Sequence, residues 1–255
     1  MSNPILEATD LRMRFGGLLA VDGVSLKVDK GQIVSMIGPN GAGKTTVFNC
    51  LTGFYKPTEG IIRFQGEEVQ GLPGFKIARK GMIRTFQHVR LFKNMTVLEN
   101  LLVAQHRLLN NSLIAGLLKT PKYRAAEKRA LEQAMYWLEK VDMLDDANRE
   151  AGTLAYGPQR LLEIARCMVT NPTLLMLDEP AAGLNPSETD NLKQLINELR
   201  DEHDMSVLLI EHDMTLVMDI SDQIFVINQG TPLASGTPKE VRNNPAVIKA
   251  YLGEA

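Results

Sequence analysis

The sequence has few of the residues that mark secreted or membrane-spanning proteins. It contains two cysteines, Cys50 and Cys167, which are far apart and fall in segments predicted to be helical. A disulfide framework or a cysteine-rich metal site needs more thiols at closer spacing, so we expect two buried thiols in a reducing compartment. No apolar run approaches the roughly 18 residues of a membrane span, and the first residues lack the basic and apolar segments of a signal peptide. We therefore expect a soluble, cytoplasmic protein that can reach a membrane through a partner.

An excess of charge of one sign is also missing. The formal net charge is −2 and the isoelectric point is about 6.1. Domains that bind nucleic acid usually carry a basic stripe or patch, so this balance argues against nucleic acid as a partner. Aromatic residues make up only 5% of the chain, but 44% of its residues are hydrophobic, which is enough for the core of one or two domains.

The chain does contain a complete phosphate-binding loop at residues 38–45, which read G-P-N-G-A-G-K-T. This pattern lets backbone N–H groups surround the phosphates of a nucleotide. Lys44 should reach the β- and γ-phosphates, and the Thr45 hydroxyl should hold Mg²⁺. An apolar strand at 32–37 precedes the loop and a helix follows it, as this motif requires. The residues expected to contact the nucleotide are Gly38, Pro39, Asn40, Gly41, Ala42, Gly43, Lys44, Thr45 and Thr46.

A second apolar strand, at 174–177, ends in two carboxylates, Asp178 and Glu179. A carboxylate at a strand end beside a phosphate-binding loop can bind the Mg²⁺ that bridges the phosphates, and we assign this role to Asp178. Glu179 is the candidate general base for the water that attacks the γ-phosphate, since proton abstraction needs a carboxylate within hydrogen-bond reach. Without the loop, the same pair would be interpreted as an ordinary acidic strand end.

The periodicity of apolar residues predicts an α/β protein with a mainly parallel sheet. Strands are predicted early in the chain, and helices and strands alternate after residue 160: strands 5–11, 20–28, 61–64, 174–177, 206–210 and 223–227, and helices 159–168, 186–203 and 214–220. Two further helices, 97–109 and 122–140, flank a predicted loop or broken helix at 110–121. Leu131, Met135 and Leu138 share one face of the second of these helices.

Further segments occur in a fixed order around the two nucleotide motifs. Gln87 ends the run R-T-F-Q, residues 154–160 read L-A-Y-G-P-Q-R, residues 182–185 read A-G-L-N, and His212 lies in I-E-H-D. With these segments the chain resembles an ABC-type ATPase over nearly its whole length, in which they are the Q-loop, the signature, the D-loop and the switch histidine. The resemblance implies ATP hydrolysis with ATP and Mg²⁺, and a P-loop NTPase core with an N-terminal antiparallel β part. It places that core at 1–87 and 168–237, a helical signature subdomain at 88–167 and a short helical tail at 238–255.

The resemblance also assigns roles to residues outside the loop. Phe15 would offer its ring to adenine, Gln87 would orient water or bind Mg²⁺, and His212 would donate a hydrogen bond to the γ-phosphate. Each residue has a plainer interpretation, as core filler, surface glutamine or structural histidine. The expected catalytic residues are Glu179, His212 and Gln87, and the expected metal ligands are Thr45, Gln87 and Asp178.

The signature segment departs from the family pattern, which caps the ATP bound in the other subunit of a head-to-tail dimer. Ala155 replaces the usual Ser, Tyr156 the first Gly, and Pro158 the Gln. Loss of one hydrogen bond to a charged group costs about 1.5–3 kcal/mol, so the capped site should be weakened. Gly157, with Pro158 expected at the first position of a helix, can still present a helix N-terminus to an anion. The residues expected at this trans site are Leu154, Ala155, Tyr156, Gly157 and Gln159.

The D-loop carries Asn185 where the family has Asp. Asn185 is also a good N-cap for a helix that starts at Pro186, with Glu188 at the third position. Capping can therefore be its whole role.

The chain's own nucleotide half-site is complete, whereas the signature it lends is degenerate. This asymmetry predicts a heterodimer with a second, related ATPase subunit and argues against a homodimer. The segments at 86–92, 154–157, 181–186, 210–214 and 247–253 resemble the ATP-binding subunit of a bacterial branched-chain amino-acid importer. That resemblance alone implies the cargo, two integral-membrane permease subunits, a periplasmic substrate-binding protein, and a peripheral location on the inner face of the cell membrane.

Three other functions fit the sequence less well. The ATPase of a lipopolysaccharide exporter should keep Ser and Gly in its signature. A soluble ABC ATPase that acts on nucleic acid or ribosomes usually carries two cassettes, a coiled-coil insert or a basic surface. A regulator that binds ATP without hydrolysis would not need all of Lys44, Asp178, Glu179 and His212.

Overall fold

The computed structural model describes residues 4–105 and 120–252, which fall into two compact units. The first unit lies within Met1–Gln87, Thr173–Ala182 and Thr189–Ala255, and the second within His88–Pro172 and Gly183–Glu188. None of the helices in the described ranges is both long and apolar enough to cross a membrane.

The described strands all belong to the first unit. In chain order they are β1 (Leu6–Phe15), β2 (Leu18–Val28), β3 (Ile33–Ile37), β4 (Glu59–Phe64), β5 (Glu67–Glu68), β6 (Met82–Arg84), β7 (Leu174–Asp178), β8 (Ser206–Ile210), β9 (Gln223–Asn228) and β10 (Thr231–Gly236).

The α-helices of the described residues are distributed over both units. They are α1 (Lys44–Leu51), α2 (Gly74–Lys80), α3 (Val97–Gln105), α4 (Pro121–Lys140), α5 (Tyr156–Met168), α6 (Pro186–His203), α7 (Met214–Ile220), α8 (Pro238–Arg242) and α9 (Pro245–Leu252).

The first unit contains two sheets. A four-stranded antiparallel sheet has the order β2-β1-β4-β5, and a six-stranded sheet has the order β10-β9-β3-β8-β7-β6. The second sheet is parallel except for β10, which pairs antiparallel with β9. Every residue of β3, β7 and β8 is buried, as expected for strands covered on both faces. Four of these elements were not predicted: β5, β6, β10 and α2. The strands β5 and β6 are too short to show a period, and β10 contains Pro232, which is unfavourable in a strand.

The helix α1 joins the two sheets through one apolar cluster. Val47, Phe48 and Leu51 of α1 belong to the same buried cluster as Leu11 of the first sheet and Met36 of the second. The phosphate-binding loop that precedes α1 therefore starts from a firmly packed strand and ends in a firmly packed helix.

The C-terminal helices pack on the second sheet. Val241 of α8 and Val247 of α9 lie in a buried cluster with Val217 of α7 and Val226 of β9. The helix α8 begins with a capping box formed by Thr237 and Glu240.

The second unit is helical. The helix α3 begins with a capping box in which Thr96 accepts from the Glu99 N–H at 3.1 Å and Glu99 accepts from the Thr96 N–H at 2.8 Å. The predicted end of this helix at 106–109, and residues 110–119 of the predicted loop, lie outside the described residues. Pro121, expected in that loop, is instead the first residue of α4, where a missing N–H costs nothing.

The buried face of α4 differs from the one that its large apolar residues suggest. Leu131 and Met135 are 43% and 37% exposed, and only Leu138 of the three is buried. The buried residues are Ala130, Ala134, Trp137 and Leu138, and the Ala130 carbonyl accepts a hydrogen bond from Gln105 Nε2 at 2.9 Å. Alanine permits the close approach of α3, which a larger side chain would prevent.

Candidate functional site

The phosphate-binding loop fits its strand–loop–helix position only with glycine at two places. A Cβ at Gly38 would lie 2.1 Å from the Ile227 carbonyl oxygen, and a Cβ at Gly43 would lie 2.8 Å from the Ala20 carbonyl oxygen. Gly43 also has φ 96°, in the left-handed region that side chains disfavour. The loop is therefore pressed against β2 and β9 of its own unit.

Lys44 is held inside this loop. Its side chain is nearly buried, and Nζ donates to the carbonyls of Gly38 at 2.6 Å and Pro39 at 3.1 Å. Burial lowers the pKa of the Lys44 ammonium, while the charges of Glu179 and Asp178 oppose that shift. An ammonium group fixed at the start of a helix is suited to a multiply charged anion.

A cavity of about 550 Å³ lies beside the loop, within the first unit. The sequence predicted part of its lining, namely Phe15, Asn40 to Thr46 and Glu179. The other lining residues, which were missed, are Leu18, Leu19, Ala20, Gln229 and Gly230. They come from the start of β2 and from the β9–β10 turn, and no local motif marks them.

Phe15 is one of the residues that line this cavity. It is 40% exposed, and its ring meets the ring of Tyr55 edge-to-face with centroids 5.2 Å apart. A large apolar ring left in solvent beside a cavity is available to stack on a planar ligand. Among the other predicted contacts, Gly38 and Pro39 use their carbonyls to hold Lys44 and do not line the cavity.

Asp178 ends β7 and is nearly buried. Its Oδ2 accepts from Arg84 Nη2 at 2.5 Å, and its N–H donates to Thr85 Oγ1 at 3.3 Å. The R-T-F-Q pattern around Arg84 indicates a role only for Gln87, so this partner was not predicted.

Glu179 has an unusual backbone conformation. Its φ is +48°, a region that non-glycine residues seldom occupy and that often marks functional positions. Its N–H donates to the Ile210 carbonyl at 2.9 Å, and its Oε2 accepts from Gln87 Nε2 at 3.1 Å. The structure thus brings the candidate base and the Q-loop amide together.

Glu211 connects the segment after Glu179 to the segment that carries His212. The Glu211 carboxylate is completely buried and accepts three backbone N–H bonds, from Ala181 at 2.7 Å, His212 at 2.9 Å and Asp213 at 3.3 Å. Sequence reasoning missed this residue, although a charged residue directly after the apolar strand β8 was a signal. The His212 side chain is 60% exposed and lies outside the lining of the cavity.

In the second unit, the signature segment leads into α5. Ala155 is the N-cap and provides no side-chain hydrogen bond to the helix, and α5 starts at Tyr156. Pro158 is therefore the third residue of the helix, whereas the sequence predicted it at the first position. Proline also fits at the third position, because the N–H groups of the first turn have no helical acceptor. Gln159 folds back, with Nε2 donating to the Leu154 carbonyl at 2.8 Å.

Two local features hold the D-loop and signature residues of this unit. Asn185 and Glu188 form the predicted reciprocal cap: Asn185 Oδ1 accepts from the Glu188 N–H at 3.0 Å, and Glu188 Oε2 accepts from the Asn185 N–H at 2.9 Å. A Cβ at Gly157 would lie 2.2 Å from Glu188 Oε1, so a larger residue there would displace the Glu188 side chain from this cap. The capping expected of Asn185 is confirmed.

The comparisons with known proteins identify this arrangement. The family model described as ABC transporter matches residues 21–182, more than half of the chain. The chain belongs to the ABC transporter family, as an ATP-binding subunit. It is an ATP hydrolase of the ABC type, which confirms the predicted family, nucleotide class and P-loop fold. A second model, described as branched-chain amino acid ATP-binding cassette transporter, matches residues 231–255.

Relatives of this ABC subunit cover its whole length. It is 71% identical to BraF of Pseudomonas aeruginosa and 65% identical to LivG of Escherichia coli K12, both named high-affinity branched-chain amino acid transport ATP-binding proteins, over all 255 residues. Among solved structures, the ADP conformation of the ATP-binding cassette MJ1267 superposes with a TM-score of 0.86 at 34% identity, covering 99% of this chain and all of that one.

Proposed function

We propose that this chain is the ATP-hydrolysing subunit of an importer for branched-chain amino acids. The observation that carries the proposal is the similarity over the full length, at 71% and 65% identity, to proteins named for that transport, joined to an intact phosphate-binding loop. The match at 231–255 supports the same cargo class. The alternatives considered from sequence, a lipopolysaccharide exporter and an ATPase of nucleic acid or ribosomes, lack comparable support.

The described residues fit a bound nucleotide with its metal. The 550 Å³ cavity is lined by the exposed ring of Phe15 and by Lys44, whose ammonium is fixed by the Gly38 and Pro39 carbonyls. The Thr45 hydroxyl, the Asp178 carboxylate and the Gln87 amide are the oxygen groups that we assign to Mg²⁺. When bound, Mg²⁺ neutralises charge that develops on the β- and γ-phosphates.

The chain's own residues would then carry the hydrolysis. Lys44 binds the β- and γ-phosphates, and Glu179 accepts the proton of the attacking water while the bond from the γ-phosphorus to the bridging oxygen breaks. Gln87 orients Glu179 through the 3.1 Å contact. We assign to His212 the donation of a hydrogen bond to the γ-phosphate, with Glu211 fixing the backbone that carries it.

The assembly that we propose is asymmetric. An ABC importer subunit works with membrane permease subunits, and we propose two of these, a second related ATPase and a periplasmic binding protein, with this chain on the inner face of the bacterial membrane. Ala155 gives no side-chain hydrogen bond at the start of α5, so the ATP site that it caps in a partner lacks one donor. The chain's own ATP site is complete and the site that it caps lacks one donor, and a heterodimer accommodates this difference better than a homodimer.

Transport in proteoliposomes tests the proposed function. The chain would be assembled with its permeases and second ATPase, with the binding protein and leucine outside and ATP inside. ATP-dependent leucine uptake that a Lys44→Ala variant abolishes is the expected result. A complex that hydrolyses ATP but moves lipopolysaccharide and not leucine would overturn the cargo assignment.

A further inference from the structure

Arg84 makes the closest polar contact to the proposed metal ligand. It is the last residue of β6, the edge strand that pairs in parallel with β7. Arg84 Nη2 donates to Asp178 Oδ2 at 2.5 Å, and the two side chains are 8% and 4% exposed. Ion pairs this deeply buried are expensive to desolvate, so their presence calls for a purpose beyond stability.

The same guanidinium also binds the helix that follows the phosphate-binding loop. Arg84 Nη1 donates to Asn49 Oδ1 at 2.6 Å and to Thr52 Oγ1 at 3.2 Å, both on α1. Arginine offers its donors in a rigid planar fork, which lysine cannot reproduce. One side chain therefore fixes the Asp178 carboxylate relative to the helix that starts at Lys44.

Three aromatic rings restrict the plane of this guanidinium. Its central carbon lies 5.7, 5.6 and 5.2 Å from the ring centres of Phe48, Phe54 and Phe86. Arg84 Nε is buried and has no hydrogen-bond partner among the described residues. The side chain is thus placed by its Nη contacts and by the rings.

We propose that Arg84 is a positioning residue that orients Asp178 for Mg²⁺. By holding Oδ2, it leaves Oδ1 for the metal and prevents rotation of the carboxylate. This inference rests on the metal role proposed for Asp178. Outer partners that orient a metal ligand typically contribute 10–100-fold to metal affinity.

The positive charge of Arg84 affects metal affinity in the opposite direction to its orientation of Asp178. Two variants, Arg84→Met and Arg84→Lys, separate the effect of charge from the effect of orientation. The positive charge of Arg84 repels a divalent cation, so by charge alone its removal would strengthen metal binding. If orientation dominates, Arg84→Met weakens metal binding, and Arg84→Lys, which keeps the charge but loses the fork, also weakens it. If charge dominates, Arg84→Met binds metal more tightly and Arg84→Lys is unchanged.

The test measures how much Mn²⁺, used in place of Mg²⁺, strengthens nucleotide binding to the full chain. The affinity for a fluorescent ATP analogue is measured with Mn²⁺ and in EDTA, and the ratio of the two is compared between variants. We expect Arg84→Met to lower this ratio by about 10–100-fold while the affinity in EDTA stays close to that of the wild type. Arg63→Met, which removes a surface arginine paired with Glu68, is the matched control and should change neither value.

An unchanged or higher ratio in Arg84→Met would overturn the inference. If that variant does not fold, as loss of nucleotide binding in EDTA and of circular dichroism would show, Arg84→Lys decides: a lowered ratio supports orientation and an unchanged ratio refutes it. Asp178→Asn separates the two levels of the argument. If Asp178→Asn abolishes the Mn²⁺ effect and the Arg84 variants do not, only the inference fails; if Asp178→Asn has no effect, the metal role of Asp178 fails and the inference with it.

Discussion

The buried carboxylate of Glu211 should be required both for stability and for turnover. Glu211 Oε1 accepts from the Ala181 N–H, and Oε2 accepts from the N–H groups of His212 and Asp213. Glutamine has only one acceptor oxygen. Glu211→Gln must therefore lose the hydrogen bonds made by either Oε1 or Oε2, and its NH₂ group would then face a backbone N–H that is also a donor. Each lost bond to a charged group is worth about 1.5–3 kcal/mol, so the free energy of unfolding should fall by at least that much.

Nucleotide binding should survive this substitution, because the three hydrogen bonds of the Glu211 carboxylate come from Ala181, His212 and Asp213 and not from the phosphate-binding loop. Turnover should fall roughly tenfold or more, since Glu211 fixes the segments that carry Glu179 and His212. Urea unfolding and steady-state ATPase assays measure the two effects. Glu198→Gln, an exchange at a partly exposed position on α6, is the matched control, expected to change stability by less than about 0.5 kcal/mol. Wild-type stability and turnover in Glu211→Gln would refute the positioning role.

Other predictions concern the base, the thiols and the helix cap. Glu179→Gln should retain ATP binding but slow hydrolysis by about 10²–10⁴-fold, and unchanged turnover would remove Glu179 as the base. Burial raises the pKa of Cys50 to about 11 and of Cys167 to about 12, so both thiols should react slowly with a thiol reagent at pH 8 and quickly after denaturation. Because these thiols ionise near pH 9.0 only in the unfolded chain, the free energy of unfolding should fall as the pH rises above 9.0. Fast labelling of the native protein, or a free energy of unfolding that does not change with pH in this range, would contradict the burial of the thiols. Asn185→Ala should cost about 0.5–2 kcal/mol of stability while Asn185→Asp, an equally good cap, should not, and equal stabilities would argue that the cap is unimportant.

Features encoded within a few residues were predictable from the sequence. The phosphate-binding loop, the fully apolar strands β3, β7 and β8, and the capping boxes at Thr96 and Asn185 depend on local spacing, and the structure contains each of them. In such segments the hydrogen-bond partners are near neighbours, so the pattern itself states the geometry.

Contacts between distant segments could not be predicted in this way. Arg84 and Asp178 are 94 residues apart, and Glu211 meets Ala181 over 30 residues. Their pairing follows from the order of strands in the sheet, which no local pattern specifies. The buried face of α4 also depends on a contact with another segment. The helix α3 packs close to Ala130, so Ala130 is buried and the larger Leu131 is exposed.

We propose that this chain has a complete ATP site of its own and lends its partner an incomplete signature. The most direct test is the steady-state ATPase activity of the purified chain with Mg²⁺ at rising protein concentration, with and without the second ATPase subunit. The account predicts bound ATP but little hydrolysis by the chain alone at every concentration, and activity once the second subunit is added. Strong activity of the chain alone that rises with the square of its concentration would show a competent homodimer and contradict the account.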